Sequence, residues 1–218
     1  MDSQIILILT IAYSFFLVVL IIDILVIVKK IINQKKKSKN QDLNLVENIT
    51  PNLSQQVDKI NKLIPNTYLL NNITSLSTND YSFDSGKILV NNYGLFVLKE
   101  FNDQAMILEG NFNEREWFLH TDNQQYSINN LFWALNKNIE NLIPLLPKNL
   151  PILGILICKF VKEFKLSNFQ GHLLYTNISN LPDLMYQIKS QLQPTLSNEN
   201  VNQIIDLLNN NNAKTSKI

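Results

Sequence analysis

NNYGLFVLKEFN, residues 91–102, carries two signals at once. Asn91-Asn92-Tyr93-Gly94 is a tight turn of the kind that joins antiparallel strands. Leu95 to Leu98 is an apolar run that ends at Lys99 and Glu100, and "GKILVNN" (86–92) supplies the other half of a hairpin. Downstream, "QAMILEG" (104–110) and "EREWFLH" (114–120) read as two further antiparallel strands, followed by the short polar stretch "NQQYS" (123–127). Ile128 to Leu146 returns to a helical period. "PILGILIC" (151–158) is nearly all apolar, as a central strand covered on both faces would be. "HLLYTN" (172–177) is another strand, and "DLMYQIKSQL" (183–192) and "ENVNQIIDLLNN" (199–210) are helices. Upstream, "LSQQVDKINKL" (53–63) puts its apolar residues on one helical face, Pro65 stops it, and "TYLLNNI" (67–73) is a strand. This order implies an α/β or α+β fold with a mixed, largely antiparallel central sheet flanked by helices.

Net charge is +1, so nothing in the overall balance draws the chain to nucleic acid. The lysines are uneven: Lys29, Lys30, Lys35, Lys36, Lys37 and Lys39 fall within one short stretch that has no acid. Eighteen lysines against one arginine, with abundant asparagine, reflect codon bias toward A and T. The single cysteine, Cys158, has no partner for an internal disulfide and sits in an apolar strand. Two histidines and no CxxC pair argue against zinc. Five glycines in all leave no phosphate-binding loop.

Ile5 to Val28 contains 24 residues and one charge, Asp23. A bilayer core of about 30 Å needs about 20 apolar residues at 1.5 Å each. The start, Met1-Asp2-Ser3-Gln4, has no lysine and no cleavage motif follows, so the expectation is an uncleaved transmembrane helix. The lysines after it place the N-terminus outside and the rest in the cytoplasm, a single-pass cell-membrane protein. Beside a membrane those lysines suit anionic headgroups of the lipid bilayer. The expected domains are an anchor at 1–30, a basic juxtamembrane segment and linker at 31–52, a folded domain at 53–192, and a C-terminal helix with a frayed polar tail at 193–218.

Residues from about 53 to 190 resemble the nuclease-related domain, the NERD family, which is similar to the PD-(D/E)xK nucleases. The likeness runs through "IPNTYLLNNI", "KILVNNYGLFVLKEFN" with its turn glycine, "LEGNFNEREW" with Gly110 seven residues before Trp117, and "ILGILIC". It implies a restriction-endonuclease-like fold. In such nucleases one acid before the turn and an acid two residues from a lysine after it hold Mg²⁺ and activate water at a phosphate. Counting from Gly94, those places fall on Gly86, Lys99 and Phe101, and the helical glutamate of the family falls near Ser54.

None of these four is the expected metal ligand. The first reading is therefore a membrane-anchored, non-catalytic NERD-like pseudoenzyme serving as a binding or scaffold module, with no cofactor and a protein partner at the membrane. The alternative is a Mg²⁺-dependent nuclease on DNA or RNA with a displaced site at Asp84, Glu100 and Lys99. Alternation along a regular strand sends Glu100 to the face opposite Lys99, and only a bulge would bring it round. Asn129 and Asn130 are polar residues on the family's helix, Phe132 and Trp133 read as core, and "KFVKEFK" (159–165) is the densest basic patch, read as a solvated strand-to-helix edge.

Overall fold

The first helix forms where apolar spacing and a cap coincide. In α1 (Leu53–Leu63), Leu53, Val57 and Ile60 are buried, while the side chains of Asn52 and Gln55 cap each other's backbone amides. The helix ends as Ile64 turns extended before Pro65, and the Thr67 hydroxyl donates to the Ile64 carbonyl at 2.7 Å. This computed structural model describes residues 51–71, 74–76, 82–84, 86–168 and 170–215, with the backbone alone at 74–76, 82–84 and 211–215. The apolar run at 5–28 and the lysine cluster at 29–39 lie outside the described residues. Among the described residues no helix is long and apolar enough to cross a membrane.

The strands are β1 (Tyr68–Leu70), β2 (Thr74–Leu76), β3 (Ser82–Asp84), β4 (Lys87–Asn91), β5 (Gly94–Asn111), β6 (Glu116–His120), β7 (Gln125–Asn129), β8 (Ile152–Ser167) and β9 (Leu173–Asn177). The helices after α1 are α2 (Leu131–Leu142), α3 (Leu181–Gln191) and α4 (Asn198–Thr215). β2 and β3 pair only with each other. In the main sheet, β1–β4, β4–β5, β5–β6 and β6–β7 are antiparallel, whereas β5–β8 and β8–β9 are parallel. The result is a mixed α/β fold with a mostly antiparallel sheet flanked by helices.

β5 organises the molecule. β8 runs beside it from Leu95 to Asn111, so β4 at Gly94–Leu98 and β6 at Ile107–Glu109 share the opposite edge in series. Alternation sorts its apolar residues between two cores. Leu95, Val97 and Phe101 pack with Phe132, Leu135 and Ile139 of α2 and with Val201, Ile204 and Leu208 of α4. Phe96 and Leu98 pack with Val57 and Ile60 of α1 and with Leu181, Met185 and Ile188 of α3. Fully burying a side chain such as Phe96 contributes about 1.5–3 kcal/mol.

Three details differ from the sequence expectation. "GLFVLKEF" and "QAMILEG" form one strand, which continues through a register shift between Phe101 and Gln104 because β8 stays alongside. "KFVKEFK" is likewise strand, the second half of β8, and no helix begins there. Trp133 is 43% exposed, while Phe132 is core as expected.

Candidate functional site

The apolar run of β5 ends in two charged residues, Lys99 and Glu100. Its pairing with β8 is in step from Leu95↔Ile152 to Phe101↔Cys158, so the register shift falls after Glu100 and does not rotate it. Lys99 therefore shares a face with Val97 and Phe101, and Glu100 shares the other with Phe96 and Leu98. Lys87 is the cross-strand partner of Leu98, and Lys159 lies two residues past Ile157, the partner of Glu100. Both lysines thus stand on the Glu100 face.

These three side chains form one ionic cluster. Lys159 Nζ donates to Glu100 Oε2 at 2.8 Å, and Lys87 Nζ donates to Oε1. The Glu100 side chain is 16% exposed. Burial pushes its carboxyl toward the neutral form, but the hydrogen bonds and charges of Lys159 and Lys87 outweigh that and hold it below the usual range. Both carboxylate oxygens are engaged by ammonium groups, whose positive charges oppose a metal ion at this place.

The other family positions have packing reasons of their own. Gly86 has φ +74°, a left-handed conformation that a side chain adopts only under strain. Phe101 is buried in the α2/α4 core. Ser54 is exposed on α1, and its backbone amide is part of the cap. The backbone of Asp84 pairs with Thr74 in the small sheet, and its side chain lies outside the described residues. Among the described residues no group of three His, Cys, Asp or Glu side chains is placed to hold a metal ion.

Gln56 is a residue that sequence reasoning missed. It is fully buried on α1, and neither its amide oxygen nor its amide nitrogen has a hydrogen-bond partner among the described residues. Ile64 and Pro65, at the end of α1, line one cleft together with Asn92 and Tyr93 of the β4–β5 turn. Gln56 belongs to the α1 face that also buries Leu53, Val57 and Ile60. Glutamine among apolar residues at helical spacing gave no signal beyond an amphipathic boundary.

The remaining candidates resolve into structural roles. The buried Asn130 caps α2, accepting from Phe132 N at 2.9 Å and Trp133 N at 3.3 Å, and donates to the carbonyls of Phe112 and Glu114 at 2.9 and 2.8 Å. Asn129 is exposed at the end of β7. His120 Nε2 meets Glu109 Oε2 at 2.9 Å, and His172 Nε2 meets Asn136 Oδ1 at 2.8 Å. Cys158 is fully buried, and burial pushes its thiol up to about 12, so it is not a nucleophile at neutral pH.

The cleft itself has a volume of about 610 Å³ and gathers Asn66, Asn92, Lys189, Ser197 and Asn198. Most of its polarity is spent on holding the chain. Asn92 Nδ2 donates to Leu196 O and to Asn198 Oδ1, both at 2.9 Å, and Asn92 O accepts from Thr195 N and Leu196 N. Comparison of the chain with protein-family models, with curated proteins and with solved structures finds no match.

Proposed function

We propose that the chain is a membrane-anchored protein whose folded part, a degenerate NERD-like domain of restriction-endonuclease-like design, is a non-catalytic binding or scaffold module. The observation that carries this reading is the state of Glu100. It is the acid nearest the family's second metal position, it faces away from Lys99, and Lys87 and Lys159 hold both of its oxygens. Support for the fold resemblance comes from the β4–β5 hairpin followed, after β6, β7 and α2, by the parallel strand β8 laid against β5. Support for the anchor comes from the 24-residue apolar run at 5–28 and the lysines behind it. The partners such a module would have are the bilayer, with its anionic headgroups, and a protein at the membrane.

The test is calorimetric titration of Mg²⁺ and Mn²⁺ into residues 40–218, with cleavage assays on single- and double-stranded DNA and RNA. The expected result is neither metal binding nor cleavage in folded protein. Metal binding and cleavage that are both lost in Glu100→Ala or Asp84→Ala would replace this reading with a displaced nuclease site.

A further inference from the structure

The exposed side of the α1/α3 layer carries a patch that packing within the domain does not explain. Leu63 is 37% exposed, Tyr186 56% and Leu192 48%. They surround one contact: Lys189 Nζ donates to the Leu63 carbonyl at 2.6 Å, which ties the ends of α1 and α3 together. Tyr186 is three residues before Lys189 on α3, on the same side of the helix, and Leu192 follows directly where the backbone turns extended at the helix end. On α1, Lys59 is one turn before Leu63 and Lys62 is adjacent to it, and both are exposed. The patch therefore combines two leucines, a tyrosine and three lysines. Of the acids on these helices, Asp183 lies in the first turn of α3, and Asp58 lies one turn back from Lys62.

We infer that this face rests on an anionic lipid surface. Apolar side chains with an amphipathic tyrosine, rimmed by lysines, are the composition that suits the headgroup boundary. Charge complementarity favours anionic lipid, because each lysine near such a surface strengthens binding about fivefold. Where the outside chain ends points the same way. The lysine-rich stretch at 29–39 is followed by thirteen residues to Asn52, which caps α1, so α1 is the first element among the described residues after the segment read as membrane-bound. The inference rests on that anchor reading and adds an orientation: the α1/α3 face turns toward the bilayer, while β7 at the edge of the sheet stays in water.

The test uses the full chain in bilayer nanodiscs with or without phosphatidylglycerol. A spin label is placed at Tyr186→Cys or, as reference, at the exposed Gln125→Cys of β7. The buried native Cys158 does not compete for the label. The expected result is that, in anionic discs, the label at 186 is shielded from an aqueous paramagnetic reagent relative to 125. That shielding should fall several-fold in neutral discs and in the K59Q/K62Q double variant. Equal accessibility of the two labels in anionic discs, with the chain retained, overturns the docking and leaves the anchor standing. Release of the chain from membranes by alkaline carbonate overturns the anchor reading, and the docking with it.

Discussion

Glu100 is a strand carboxylate whose two oxygens are both committed to lysines. Lys87 and Lys159 each donate to one of its oxygens, so two positive charges already neutralise the carboxylate and repel a further cation. The same geometry fixes its pH behaviour. The folded state holds the Glu100 carboxyl below the ordinary glutamate value of about 4.3, so its stabilising effect is complete above that value and is lost as pH falls through the lowered one. Glu100→Gln removes the charge and leaves two half-buried ammonium groups without a counterion. At neutral pH this should cost about 1–2 kcal/mol, toward the low end for a charged hydrogen bond because the lysines are partly exposed. Urea unfolding of both proteins checks it: the gap between them should be present at pH 7 and should narrow as the pH falls through the lowered Glu100 value. A gap unchanged by acid would mean that the carboxylate's charge is not what holds the lysines.

Strand β5 explains both what the sequence made legible and what it hid. The hairpin was legible because its apolar runs are interrupted at Asn92-Tyr93, where the chain does turn. The continuity of β5 was hidden because Asn102, Asp103 and Gln104 look like a break. They are polar because no helix covers them, and strand pairing to β8 resumes at Gln104. "KFVKEFK" misleads for the same reason: exposure in a long strand imitates a loop. The Gly110/Trp117 spacing was visible as a pattern, and its cause is steric. A Cβ on Gly110 would lie 2.3 Å from Trp117 Cγ, and the indole is wedged edge-on against Phe132 at 5.1 Å between ring centroids. Trp117 Nε1 donates to Asn111 O at 3.0 Å, so the ring cannot simply swing aside. Gly110→Ala should therefore cost about 3 kcal/mol, the upper part of the usual overpacking range. Gly171→Ala, with open space around its Cβ position, is the matched control and should be close to neutral. Equal urea midpoints for the two variants would show that the Trp117 ring has room to move.

The unit that begins at Pro51 is a sheet held between two helical layers, and its C-terminal helix belongs to that design. Residues 51–218 form a compact unit, and α4 contributes Val201, Ile204 and Leu208 to the same core as Phe132 and Trp117. The segment leading into it is fastened as well, since Asn92 holds the backbone of Thr195 and Leu196 and the side chain of Asn198. In sequence this helix stands apart from the domain at 53–192, because a run of asparagines closes it and its tail is polar. The three buried residues are 0%, 3% and 0% exposed. At about 1.5–3 kcal/mol each, their burial is of the order of the 5–15 kcal/mol that stabilises a typical domain. A chain ending at residue 197 would take these three residues out of the core that Ile88 and Val90 of the neighbouring β4 share with them. Deletion of 198–218 should therefore yield a protein without cooperative urea unfolding that binds a hydrophobic dye, whereas deletion of 216–218 alone should unfold like the full chain. If the shorter protein instead unfolds cooperatively with a near-native midpoint, the domain closes before α4, and the helix is an appendage free to serve a partner.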